Sequence, residues 1–330
     1  MADARRAVRE LLESMKLGPN DLVLAAVSGG GDSIALAAAL AFEAPRLNLR
    51  AGAVIIDHGL QENSEAIATE AAKTSKSLGL EPVVVRRVTI EHSGQGLEAA
   101  ARDARYEAIE QVREETAAVW VLLGHNLEDQ AESVLLGLTR GSGLRSIAGM
   151  QPVDSERKLL RPFLELTREA LRTSCQDQGL SYWDDPHNED PKFTRVRIRQ
   201  LIKNLEADLG PGLAQALSRT AALAAEAEEY LSAQAQELIS KAKQGSTART
   251  FSLSIAALAE APVAVRNKAL VLLAQQVGAR AVTRSQVLGI AELISNWHGQ
   301  KMVQLSGITV EREGELLVFK TTKSLNPGAC

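Results

Sequence analysis

Continuous apolar runs alternate with helical patterns through the first half of the chain. Leu22 to Val27 (LVLAAV), Ala51 to Ile56 (AGAVII), Pro82 to Val85 (PVVV) and Val119 to Leu123 (VWVLL) are short and apolar throughout, as strands covered on both faces are. Segments with helical spacing separate them: Ile34 to Ala44, Ser64 to Leu78 and Gly96 to Glu115, with Asn126 to Leu138 after the fourth run. Strands alternating with helices predict βαβ units and a parallel sheet with helices on both faces, a Rossmann-like α/β domain. Loops at the carboxyl ends of its strands are where a ligand is expected.

The pattern changes near Thr139. Thr139 to Ser155 is rich in Gly and Ser without a period, and Trp183 to Pro191 (WDDPHNEDP) reads as an acidic surface loop. Pro211 to Lys243 is Ala/Glu/Leu-rich with helical spacing, and Pro211 suits a first helical turn. Helical patterns recur at Val263 to Gln276 and Ser285 to Asn296. Lys301 to Lys320 holds short alternating runs, a small antiparallel β element. The reading is a catalytic α/β domain over 1–205 and a smaller, mainly helical domain with a short β element over 206–330.

Composition narrows the chemistry. The 330 residues suffice for two domains, and 45% apolar with 24% charged is ordinary globular composition. Thirty-seven Lys and Arg against 41 Asp and Glu give a net charge of −4, so any nucleic-acid surface must be a local basic patch. The two cysteines, Cys175 and Cys330, form no C-x-x-C pair, which argues against zinc, iron–sulfur and dithiol chemistry. No apolar signal core opens the chain and no long apolar stretch occurs, so a cytoplasmic location is expected. The patterning leaves the oligomeric state open, a homodimer among the options.

Ser28-Gly29-Gly30-Gly31-Asp32-Ser33 follows the first strand and opens a helix. Glycines let backbone N–H groups approach an anion, and a helix N-terminus carries about +0.5 charge. Neither G-x-x-x-x-G-K-[ST] nor G-x-G-x-x-G is present. Asp32 beside phosphates implies a cation between them, which points to Mg²⁺; the plainer reading is a tight turn with Asp32 as a helix cap.

This strand–SGGGDS–helix unit resembles the loop of the N-type ATP pyrophosphatases (the PP-loop superfamily). Those enzymes cleave ATP between the α and β phosphates and activate an oxygen by adenylation. Further motifs in order resemble one branch, the tRNA(Ile)-lysidine synthetase family. They are Asp57-His58-Gly59-Leu60, the helix from Gly96 to Tyr106, Gly124-His125 with Asp129-Gln130-Ala131-Glu132, Arg140-Gly141-Ser142-Gly143-Leu144, Arg161-Pro162, and Trp183, Asp185-Pro186, Asn188, Phe193, Arg195 and Arg197-Ile198-Arg199. The matches span roughly residues 20 to 205. Glu128 stands where the family usually has Asp, Asn126 where it often has His, and Gln95 where it often has Asn. The chain ends before the longest relatives, so an extra C-terminal tRNA-binding module is expected to be missing.

The resemblance implies an adenine nucleotide alpha hydrolase-like fold. It implies ATP held by Ser28, Gly29, Gly30, Gly31, Asp32, Ser33 and Asp57, with Mg²⁺ at Asp32. Asp129 and Glu132, at i and i+3 on one helical face, suit either Mg²⁺ or an amine by spacing alone. The resemblance assigns them the amino groups of L-lysine and places His125 in the active site. Glu98, Arg102 and Arg105 share a helical face and read in isolation as an ion-pair stripe. The resemblance raises Arg102 or Arg105 as a ligand for the nucleotide or the activated base, Arg102 being favoured. Arg195, Arg197 and Arg199, with Lys192 and Lys203, form the strongest basic cluster, suited to RNA phosphates. Tyr182 and Trp183 could stack on a base, although a core aromatic is the preferred reading of Trp183. His58, His92, His187 and His298 lack metal-ligand spacing.

The implied activity is ligation of L-lysine to C2 of the wobble cytidine, position 34, of a CAU-anticodon tRNA(Ile), through an adenylated cytidine, with AMP and diphosphate released. A tRNA thiolase of the same superfamily is disfavoured by the missing cysteines. A non-catalytic nucleotide-binding module would not need Asp129, Glu132 or the arginines.

Overall fold

The computed structural model describes residues 1–57, 59, 63–88, 97–141, 143–184, 192 and 194–322, with only the backbone of 97–99. The chain divides into two compact units, Met1–Gly141 with Ser146–Ala222 and Ser142–Arg145 with Leu223–Cys330.

The first unit runs α1 (Ala2–Ser14), β1 (Leu22–Ala26), α2 (Gly31–Glu43), a 3-10 turn (Ala44–Leu47), β2 (Arg50–Asp57), α3 (Ser64–Ser77), β3 (Val83–Arg87), α4 (Leu97–Glu115), β4 (Trp120–Leu122), α5 (Leu127–Arg140), the end of the one-turn α6 (Leu144–Ile147), whose first two residues count with the second unit, β5 (Val153–Asp154), β6 (Leu159–Leu160), α7 (Arg168–Asp177) and α8 (Thr194–Leu209). The strand order is β3-β2-β1-β4-β6-β5, parallel except for β5 against β6. Each expected βαβ unit is present. The expectations did not include α1, whose buried Ala4, Val8 and Leu12 lie at i, i+4 and i+8 within a charged stretch. The short β5 and β6, two residues each, offered too little sequence to carry a period.

The apolar strands are explained by packing on both faces. Val23 and Ala25 of β1 join Ile34, Leu36 and Leu40 of α2, with Phe163 and Leu171, on one side. Leu22 and Leu24 join Ile109 and Val112 of α4 with Val121 and Leu159 on the other. Gly52 lies opposite Leu24 in β2, and a Cβ there would stand 2.6 Å from the Pro82 carbonyl oxygen and 2.7 Å from Leu24 Cδ2, so only glycine fits that close crossing. The chain lays β2 and β3 to one side of β1 and then returns to place β4 on the other. That reversal opens a crevice above the carboxyl ends of β1 and β4, the position where open α/β sheets bind ligands.

The second unit takes up the C-terminal part of α9 (Leu213–Ala242), then β7 (Lys243–Ser246), β8 (Thr250–Ser254), α10 (Ile255–Glu260), α11 (Val263–Val277), α12 (Arg284–Ser295), β9 (Val303–Leu305), β10 (Ile308–Glu313) and β11 (Leu316–Thr321). The β element foreseen over 301–320 belongs to a five-stranded antiparallel sheet ordered β7-β8-β11-β10-β9. β7 (KQGS) has no apolar signature and is a strand because its backbone pairs with β8. Leu253, Phe319, Val310 and Ile308 of this sheet pack with Leu270, Leu273 and Ile290 of the helices.

Candidate active site

A cavity of about 470 Å³ occupies the crevice, walled by the glycine loop, the segment after β4, and residues of α4, α5, α7 and α8. Gly30 is the N-cap of α2 and no side chain caps the helix, which leaves its leading amides open to an anion. The serines brace the loop. Ser33 Oγ donates to the Gly30 carbonyl (2.8 Å) and accepts from Ser28 N (3.1 Å) and Ser28 Oγ (3.2 Å). Gly29 lies outside the wall at φ +89°, where a Cβ would meet Ile67 Cγ2 at 3.1 Å; its carbonyl accepts from Trp183 N at 2.9 Å. Trp183, half-buried, lines the cavity from above.

Asp32 sits on the first turn of α2, and the starts of two other helices, α5 and α7, converge on it. Asn126 Nδ2 donates to Asp32 Oδ2 at 2.9 Å, and Arg168 Nε lies 3.6 Å away. Asn126 is itself the N-cap of α5 in a reciprocal capping box: it accepts from Asp129 N (3.0 Å), while Asp129 Oδ2 accepts from Asn126 N (3.1 Å). Arg168 Nη2 reaches Asp129 Oδ1 at 3.3 Å, and the Arg168 backbone N donates to Glu128 Oε2 at 3.0 Å. Glu128 thus holds the first turn of α7 in place. Gly124 permits the approach, since a Cβ there would stand 3.1 Å from the Asp32 carbonyl oxygen.

Burial, reinforced by the Asp129 and Glu128 carboxylates and opposed by Arg168 and Asn126, pushes the Asp32 carboxyl up to about 6. Its Oδ1 is buried without a partner. Glu132, 1% exposed, pairs through Oε1 with Arg199 Nε at 2.8 Å, while Oε2 is buried without a partner. Burial raises its pKa despite Arg199. Burial also lowers His125 to about 3, with Arg105, Arg161 and Arg195 acting in the same direction and Asp129 against it. The imidazole is therefore neutral at pH 7.

Most of the residues expected from sequence meet in this cavity: Ser28, Gly30, Gly31, Asp32, Ser33, His125, Asp129, Glu132, Arg195 and Arg199. On α4 it is Arg105 that lines the wall; Arg102 stands beside it over the Tyr106 ring. Arg197 faces outward, exposed, with Nη1 donating to the Lys192 carbonyl (2.9 Å). The three arginines of α8 divide because 195 and 199 share a helical face and 197 does not. Asp57, 4% exposed at the end of β2, accepts from Gly59 N (3.0 Å) and lies off the cavity wall. His58, Leu60, His92, Gln95, Gly96, Ser142, Asp185, Pro186, His187, Asn188, Phe193, Cys330 and the Glu98 side chain lie outside the described residues. His298 is exposed.

Sequence reasoning missed Arg168. It opens α7 after the N-cap Thr167, and nothing in its spacing ties it to residues 32 and 129. Cys175 is buried, donates to the Gly31 carbonyl at 3.3 Å, and is pushed by burial up to about 11, which leaves an unreactive thiol beneath the loop.

Asp32 Oδ1 is the atom that fits a cation, and no group of three or more His, Cys, Asp or Glu among the described residues is arranged to hold a metal. One carboxylate oxygen beside a phosphate cradle suits Mg²⁺, which takes few protein ligands when substrate phosphates supply the rest.

Comparison with known proteins gives concordant matches. Residues 2–205 match a family model described as a PP-loop domain, and residues 253–317 one described as the TilS substrate binding domain. The tRNA(Ile)-lysidine synthase of Leifsonia xyli subsp. xyli is 49% identical over 92% of this chain and 91% of that protein. The tRNA(Ile)-lysidine synthase of Streptomyces coelicolor is 45% identical over 91% and 85%. That of Thermobifida fusca is 43% identical over 96% and 97%. Among solved structures, the U34-tRNA thiolase NcsA from Methanococcus maripaludis with its [4Fe-4S] cluster shares the fold, with a TM-score of 0.55, 20% identity and coverage of 67% of this chain and 77% of that one.

Proposed function

The chain belongs to the tRNA(Ile)-lysidine synthase family, and we propose how its residues divide the work of that reaction. It is a carbon–nitrogen ligase that uses ATP to join lysine to the wobble cytidine, position 34, of the CAU-anticodon tRNA(Ile). The supporting observation is the convergence, in one cavity, of an uncapped helix start with the paired acids Asp129 and Glu132.

The amides leading α2 hold the phosphates of ATP, with Ser28 and Ser33 keeping the loop in shape. Asp32 Oδ1 would hold Mg²⁺, which when bound neutralises charge on the phosphates. The cytidine O2 attacks the α-phosphorus; a new O–P bond forms and the bond to diphosphate breaks. The L-lysine ε-amine, in its neutral form, then adds at C2; the C2–O bond breaks to release AMP, a far better leaving group than the original oxygen, and the nitrogen gives up a proton. Asp129 and Glu132 orient the lysine. Each already faces an arginine, so a lysine ammonium exchanges with a guanidinium there. Neutral His125 accepts or donates a hydrogen bond through its unpartnered Nδ1.

Arg105 takes the ligand-facing role on α4 and Arg102 supports it from outside the wall. Arg195 and Arg199 meet the reacting nucleotide, and exposed Arg197 meets RNA phosphates. Catalysis is assigned to 1–205 and uptake of tRNA to 206–330, the part that contains the second family match. A cytoplasmic location follows from the substrate; among the described residues no helix is long and apolar enough to cross a membrane.

The test is diphosphate release from Mg-ATP, with and without L-lysine and an unmodified CAU-anticodon tRNA(Ile) transcript, together with labelled lysine counted in the RNA. Release that needs the tRNA, with lysine incorporated, is expected. Release without incorporation would remove lysine as the second substrate.

A further inference from the structure

We propose that Arg102, Arg105 and Arg157, gathered around Tyr106, form a second anion site that starts at the cavity wall, runs outward from it and holds a backbone phosphate of the RNA. This rests on the reading of the substrate as tRNA. The three guanidinium carbons lie 5.5, 5.4 and 5.2 Å from the centroid of the same ring. Arg102, Arg105 and Tyr106 come from α4, whereas Arg157 comes from the turn joining β5 to β6. Three like charges are thus held at separations on the order of the Debye length, ~8 Å at physiological salt.

Among the described residues no guanidinium of this cluster forms an ion pair with a carboxylate, although Asp154 Oδ1 accepts from the Arg157 backbone N at 3.2 Å. Arg113 is bound to Glu110, Arg168 to Asp129, Arg172 to Asp184 and Arg199 to Glu132, while no such pair includes Arg102, Arg105 or Arg157. The tyrosine ring supplies cation–π attraction but no neutralising charge. Arg161, whose charge also acts on the tyrosine, is tied to the Gln151 carbonyl at 2.8 Å and faces Asp154 at 3.5 Å.

The placement selects a polymer over a free nucleotide. Arg105 lines the cavity, while Arg102 and Arg157 do not. The basic surface therefore begins at the reacting centre and continues out of it, as the backbone of an RNA does on either side of the reacting base. The phosphates of ATP are taken by the glycine loop. Planar guanidinium forks match phosphate oxygens.

Arg157 is the residue to change, since it lies outside the catalytic wall. Binding of the tRNA transcript would be measured across a potassium chloride series for wild type, Arg157→Glu, Arg157→Ala and Arg157→Lys, with ATP affinity and melting temperature measured on the same proteins. Arg157→Glu is expected to bind the transcript about tenfold more weakly, with the slope of log K against log salt shallower by roughly 0.7–0.9. Arg157→Lys, which keeps the charge and loses the fork, is expected to hold the wild-type salt slope with an affinity between those of wild type and Arg157→Ala, and ATP affinity and melting temperature to hold in all four. Unchanged tRNA affinity and slope in Arg157→Glu would overturn the proposal. So would a lower melting temperature with an unchanged slope, the mark of a bracket between α4 and the turn, or a parallel loss of ATP affinity. Failure of the wild type to bind the transcript would overturn the substrate reading and the patch with it.

Discussion

Arg199 Nε lies 2.8 Å from Glu132 Oε1, so the buried carboxylate proposed to receive lysine is held by an arginine 67 positions further along the chain. A carboxylate this deep needs a cation in every state of the site, and arginine and lysine can exchange for one another there. Glu132 Oε2, still without a partner, leaves room for the second cation to arrive before the first departs.

Arg199→Ala strands that buried charge. Loss of one partner of a buried pair costs roughly 3 kcal/mol, more than removal of both. Chemical denaturation is expected to show Arg199→Ala less stable than the Arg199→Ala, Glu132→Gln double variant. Additive effects in the cycle would mean that the pair does not couple.

Asp32→Asn separates stability from activity. The folded chain binds the Asp32 proton more tightly than the unfolded chain, because the carboxyl rises from 3.8 to about 6. Its stabilising contribution is full below about pH 4 and is lost as pH rises through 6. Asp32→Asn is expected to melt above wild type at pH 8, with the gap closing near pH 4, while diphosphate release falls roughly 10²–10³-fold. Equal melting at pH 8 would contradict the burial argument.

Arg168 is the charge that opposes the burial of Asp32. Its removal in Arg168→Ala is expected to carry the acid limb of the diphosphate-release profile to higher pH, and Arg168→Lys to restore much of the difference. A limb at the same pH in all three proteins would show that Arg168 does not act on Asp32.

Gly124→Ala tests the approach of β4 to α2. The added carbon would stand 3.1 Å from the Asp32 carbonyl oxygen and 3.3 Å from Ser33 N, so the segment carrying His125 and Asn126 must move by tenths of an ångström. Displacements of that kind in a preorganised site lower kcat by roughly tenfold or more. Single-turnover adenylation by a protein with normal circular dichroism would measure it. A wild-type rate would show that the contact is slack.

The sequence by itself determined the sheet. Runs such as LVLAAV have no polar face to give to water, so they must be covered on both sides, and their shortness between helical patterns makes them strands; Val23 and Leu24 do pack on opposite layers. It also determined the anion loop and the i, i+3 spacing of Asp129 and Glu132, because those depend on neighbours in the chain. Only the tertiary structure decided which charges meet. Arg168 joins Asp32 and Asp129 across the crevice, Arg199 joins Glu132, and Arg197 turns away, and no local period records these distances. It likewise decided that Arg105 lines the cavity while Arg102 joins Arg157 over Tyr106. The strand β7 belongs to the same class, since its KQGS sequence is a strand only because β8 offers it a partner. Side-chain period is a property of one segment, whereas the pairing of charges and of unpatterned strands depends on what the rest of the fold brings beside them.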